Sequence, residues 1–205
     1  DEVDYFTPNQ NSGNPEVTVI DISSIAAGQS QVKIQFYYND NDYWGWYWAV
    51  DDVELYVPEA NDVKLNSVLW GSTGFWAERL AYYQVPQSQV TDVEFSGIIE
   101  NIGAQNQTDA VFTATTGSYT GTSAATAIAV GQIDTLACAT SFTPGSSVAN
   151  HVLSGNVALG VTDGDPSNNS MNNFATIAVN PYVYARDNGT ATNGSFNSGM
   201  GFEVG

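Results

Sequence analysis

The run Tyr43-Trp44-Gly45-Trp46-Tyr47-Trp48-Ala49-Val50-Asp51-Asp52-Val53-Glu54-Leu55 constrains this chain more than any other stretch. Aromatic residues at this density favour a strand and bury large area. Trp44, Trp46, Trp48 and Val50 share one parity, whereas Val53, Leu55 and Val57 share the other. Strand side chains alternate with period two, so one core face takes both sets only if the register slips near Asp51-Asp52. A bulge does this and leaves two adjacent carboxylates at the kink. Such a pair needs charge compensation, which makes Asp51 and Asp52 candidate ligands of a hard cation such as calcium. A solvated bulge is the alternative. The off-parity Tyr43 and Tyr47 are the candidates for stacking on a sugar ring, against the competing reading that the cluster is core. The expectation is the closing strand of a β-sandwich rather than an active site.

A length of 205 residues suits one large or two modest domains. Gly, Ser, Thr, Asn, Val and aromatics dominate, and no long stretch repeats its apolar residues every 3.6 positions, so an all-β chain with polar turns is expected. No run is long enough to span a bilayer, and no basic segment precedes a short apolar one. Because the chain starts at Asp1 rather than Met, it reads as an internal or processed segment.

The net charge is −18, with Lys33, Lys64, Arg79 and Arg186 as the only cations. Nucleic acid and anionic membrane are poor partners for such a surface. Residues 1–57 carry ten acids and one base, and residues 58–180 carry ten acids and two bases. This even spread favours solubility in salty, extracellular or divalent-rich surroundings over a local acidic tail. Cys138 stands alone, which excludes a disulfide within the chain; its apolar setting predicts an inert buried thiol.

Glu16–Ile22 and Gln31–Tyr38 alternate as strands, and Asn39-Asp40-Asn41-Asp42 supplies a turn into the aromatic run. Three strands cannot close a sandwich, so residues 1–57 are expected to be the carboxy-terminal part of a jelly roll, completed by earlier residues or by another chain. A break at 58–61 leads to strands expected at Val63–Leu69, Thr91–Glu100, Asp109–Thr116, Thr122–Val130 (weak), Ile133–Ala139, Val152–Val161 and Phe174–Val179. Six or seven strands over residues 62–180 with such turns predict an immunoglobulin-like sandwich. Gly71–Gln89 is too long for a hairpin turn and reads as an ordered loop packed by its own aromatics. Residues 181–205 read as a junction and the first strand of a further module.

The aromatic run, preceded by Val19-Ile20-Asp21-Ile22-Ser23 and Val32-Lys33-Ile34-Gln35-Phe36, resembles the end of choice-of-anchor J and MAM-like jelly-roll modules. Residues 62–180 are similar to adhesion-related (CARDB-like) immunoglobulin-like domains of bacterial surface proteins, through Glu100–Thr108 and Asp165–Ser170. Tyr83–Gln89 and Tyr184–Gly189 look like the surroundings of such domains in giant secreted proteins of gliding, type 9-secreting bacteria. The resemblance implies a structural calcium bound by a carboxylate of the aromatic strand, although the half of the jelly roll that would supply further ligands is missing. It also makes Asp134-Thr135-Leu136 similar to an O-glycosylation motif of those bacteria, with Thr135 as acceptor.

Catalysis has little support in the residues. His151 is the only histidine and sits at a strand start, where a surface or capping role is expected. No nucleophile elbow, zinc-spaced pair or phosphate-cradling glycine loop is present. Asp163-Gly164-Asp165 begins like a calcium loop, but Pro166 breaks the pattern and a turn is expected there. The leading expectation is a non-catalytic structural or adhesive segment of a large secreted or surface protein, partnered by neighbouring modules or copies of itself. The alternative is a carbohydrate-binding accessory module of a secreted hydrolase, with polysaccharide as partner.

Overall fold

The computed structural model describes residues 16–39, 49–74 and 79–187. The chain divides into two compact units, Asp1–Glu54 and Leu55–Gly205.

In the first unit the described residues form one short helix, α1 (Ser23–Ala26), whose Ser23 amide donates to Asp21 Oδ1 at 2.8 Å. The strands expected at Glu16–Ile22 and Gln31–Tyr38, and across the described part of the aromatic run, are not formed. A strand is held by ladder bonds to a neighbour, and these segments make no such ladder among the described residues. The alternation is present but faces water: Val32 is 41% exposed and Ile34 50%. Val50, Val53, Leu55 and Val57 are exposed too, so among the described residues this stretch does not seal a core. The backbone does turn sharply at the acid pair, where Asp52 takes a left-handed φ of 46°.

The second unit is all-β. Its strands are β1 (Val63–Thr73), β2 (Arg79–Leu80), β3 (Gln84–Pro86), β4 (Glu94–Asn101), β5 (Gln107–Thr116), β6 (Tyr119–Thr122), β7 (Thr126–Ile128), β8 (Ile133–Ala137), β9 (Ala149–Ala158) and β10 (Ser170–Asn180). One sheet has the order β2-β1-β4-β8, the other β3-β10-β9-β5-β6, with β7 also paired to β5. Taking β1, β4, β5, β6, β8, β9 and β10 as strands A, B, C, C′, E, F and G gives an A-B-E sheet facing a G-F-C-C′ sheet. This is the immunoglobulin-like arrangement.

Alternation places the core. Ala110, Phe112, Ala114 and Thr116 on β5 point inward, as do Leu153 and Val157 on β9 and Ala175, Ile177 and Val179 on β10. Gly97 and Gly155 make room for Phe112 between the sheets: a Cβ on either would lie 2.5 Å and 3.1 Å from its ring. The same parity turns the half-buried His151 of β9 onto Phe142, with ring centroids 5.1 Å apart, rather than fully out to solvent.

β1 carries a register slip between Leu65 and Ser67. Val63 and Leu65 are buried before it and Trp70 after it, so the extra residue moves the inward set from odd to even positions. The segment read as a loop, Gly71–Gln89, holds the end of β1, the strands β2 and β3, and a 3₁₀ turn at Gln87–Gln89. Strands of two and three residues are too short to show a period. Among the described residues the segment's aromatics pack on rings outside it rather than on one another: Trp70, which precedes it, lies edge-on to Tyr83 at 5.1 Å.

Candidate functional site

The two poles of the second unit hold its polar and aromatic groups. At the lower pole the chain arrives through Glu59-Ala60-Asn61, and neighbouring loops bond its backbone. Ala104 donates to the Glu59 carbonyl at 2.8 Å, Gln105 to Ala60 at 3.0 Å and Gly164 to Asn61 at 2.7 Å. Gly164 has no side chain because a Cβ there would lie 2.3 Å from that of Glu59. Fully buried Asn101 ties the pole together: its amide donates to the carbonyls of Gln105 and Ile128 and its Oδ1 accepts from Gly103.

Asp62 is buried beside this strand start, and its Oδ1 accepts from Asn168 at 3.1 Å. Burial holds its carboxyl above the ordinary range; the Asn168 bond offsets this in part, and Asp163, Asp165 and Glu59 add to it. Asp163 accepts from Val63 N at 3.1 Å and from Asp165 N at 3.0 Å. Asp165 accepts from Ser167 N and caps the 3₁₀ turn Pro166–Asn168. Asp163-Gly164-Asp165 is therefore a turn, as its sequence predicts. Among the described residues no group of three or more His, Cys, Asp or Glu is placed to hold a metal ion.

β10 starts at the lower pole, where Ser170 follows this turn, and carries the chain to the upper pole at Asn180. There Asn180 Oδ1 accepts from the amides of Tyr182 and Val183, forming a tight reversal. The residues beyond it return along the outer edge of β3. Ala185 accepts from Tyr83 and Gln84 and donates to Gln84 at 3.0 Å. Tyr184 stacks on Tyr82 with centroids 4.3 Å apart, and Arg186 lies over the same Tyr82 ring at 5.7 Å. Beneath, Trp70, Val85, Ile177 and Tyr184 line a recess of about 10 Å³, the room of one water molecule.

Two solved structures are similar to the chain. One is the CARDB domain of a Pyrococcus furiosus protein, determined in complex with di-metal ions; it is 13% identical over 64% of this chain and 97% of that chain, with a TM-score of 0.39. The other is the solution structure of a domain, residues 272–376, of a Methanosarcina acetivorans protein provisionally described as a cell-surface protein. It is 17% identical over 62% of this chain and 96% of that chain, with a TM-score of 0.38. No protein-family model and no curated protein matches the chain.

The residues singled out in the sequence do not converge. Asp51 and Asp52 are exposed and lie outside any strand. They supply two carboxylates, whereas calcium takes six to eight oxygens, and among the described residues they belong to no group of three or more His, Cys, Asp or Glu side chains. Tyr43 and Tyr47, the tryptophans at 44, 46 and 48, Trp76, Asp40 and Asp42 lie outside the described residues, as does the strand expected at 201–205. Thr135 is exposed on β8, with its amide bonded to Asp134 Oδ1 at 2.7 Å. Cys138 is half-buried rather than buried; its thiol donates to the Gly121 carbonyl, and burial pushes its pKa up, which suits an inert thiol. Sequence reasoning missed the strap at Val183–Arg186, whose aromatic and cationic residues recur two apart as on a strand edge.

Proposed function

We propose that this chain is a non-catalytic segment of a large secreted modular surface protein, in which the sandwich is an in-line spacer that holds its neighbours apart and presents its loops. One observation carries this reading: the chain meets the sandwich at one pole and β10 delivers it to the other, with backbone hydrogen bonds anchoring both ends. A pull on the chain then crosses whole ladders rather than one turn. The evenly spread charge of −18 supports an exposed extracellular setting, because it keeps tandem modules apart and soluble. Among the described residues no helix is long and apolar enough to cross a membrane.

Antibodies raised against the sandwich test the location. They are expected to label intact cells of the source organism; labelling only after lysis would contradict the proposal. Polysaccharide pull-down and glycan arrays test the role. No saccharide should be retained, whereas calcium-dependent binding abolished by Tyr43→Ala and Tyr47→Ala would replace the spacer with a carbohydrate-binding module.

A further inference from the structure

We propose that Tyr182–Arg186 is a latch: a strap that covers the outer edge of β3 at rest and peels away before the sandwich yields when the chain is pulled. The inference rests on the spacer reading for its purpose, and on the following geometry for its existence.

β3 runs parallel to β10, with Gln84 opposite Ala178. On its other side Gln84 faces Ala185 in antiparallel fashion. The strap therefore runs opposite to β10, back from the upper pole, and β3 lies between the two. A tether beyond Asp187 drawn towards the upper pole pulls on the strap end farthest from the Asn180 turn. Its three backbone bonds, from Tyr83, Gln84 and Ala185, all meet at Ala185, so the pull falls on that one residue before it reaches β10. The bonds of β10 lie across the same pull and share it, over seven residue pairs to β9 and three to β3. Peeling is the easier path, so the strap opens first.

Side chains set how firmly it closes. The Tyr82–Tyr184 stack and the Arg186 contact lie outside the main core, and Tyr184 remains 49% exposed. Such a stack with a cation contributes modestly. Opening frees the amides of Tyr83 and Gln84 but leaves the Ala178 bond to the Tyr83 carbonyl in place, so β3 stays on its sheet.

The test uses the full chain. In magnetic tweezers, the ends held apart should show a reversible step of about 2–3 nm below the force that unfolds the sandwich, which releases about 40 nm. Tyr184→Ala should lower the force of the small step and leave the large one unchanged, and Tyr184→Phe, which keeps the ring but not the hydroxyl bond to Tyr82, should restore most of it. Hydrogen exchange gives a second readout without force: the Tyr83 and Gln84 amides should exchange faster than that of Val157, and about tenfold faster again in Tyr184→Ala. A single transition of about 40 nm, with Tyr83 and Gln84 as protected as Val157, would overturn the latch and leave the spacer reading standing. Saccharide binding by Tyr43 and Tyr47 would do the reverse.

Discussion

Asp62 shows how one residue can work against the fold that surrounds it. Its carboxyl sits under the lower pole with Asp163, Asp165 and Glu59 nearby and one hydrogen-bond donor, Asn168. The folded protein therefore holds the Asp62 proton more tightly than the unfolded chain does. Its contribution to stability is fully present below the ordinary value of 3.8 and is lost as pH rises through the raised folded value. Asp62→Asn keeps a carbonyl for Asn168 and removes the charge, so thermal melting at pH 7 should shift upward. The gain should vanish in melts below pH 3.8. A lower melting temperature at pH 7 would mean that the carboxylate is needed there, as a ligand or a positioned acceptor. His151 acts in the opposite direction: burial holds its ring below the ordinary 6.5, so stability falls as pH drops through that range.

At the scale of elements, the second unit was largely legible, whereas the strands expected among the described residues of the first were not formed. β5 and β10 could be read because Ala110, Phe112 and Ala114, and Ala175, Ile177 and Val179, keep strict alternation within the strand. β2 and β3 could not, since their pairing depends on β1 and β10 rather than on their own side chains. Gln31–Tyr38 carries as clean an alternation as β5, yet it makes no strand, because alternation marks a face to be covered and does not supply the neighbour that covers it. Among the described residues Asp51 and Asp52 join no larger group of acidic side chains for a related reason: adjacency in sequence does not bring in distant ligands. The parity slip expected at Asp51-Asp52 has a counterpart in β1. Removing one residue there should preserve the inward set, since Leu65 and Val68 would then alternate regularly. Deletion of Asn66 is therefore expected to give a folded protein that loses only its bond to Glu100, about 1 kcal/mol by urea unfolding. Deletion of Thr113 from β5 should instead abolish cooperative unfolding, because it sends Ala114 and Thr116 to the wrong face. Equal damage from both deletions would show that the β1 slip is not a phase corrector.

At the scale of the whole second unit, the proposed spacer role rests on the pole where the chain enters the sandwich and the pole to which β10 carries it. A sandwich whose ends met at one pole would hang beside a fibre; one whose ends lie at opposite poles stands within it. The β10 ladder sets the span, because its 11 residues rise from the lower pole to the upper. The strap refines this picture by folding Val183–Arg186 back along β3, which stores slack without opening the core. The most direct test is the distance between spin labels at Ala60→Cys and Tyr182→Cys, with Cys138→Ser removing the native thiol, measured by double electron–electron resonance. A narrow distribution centred at about 30–40 Å is expected, the rise of such a strand plus the labels. A distribution centred below about 20 Å would put both ends at one pole and contradict the in-line spacer.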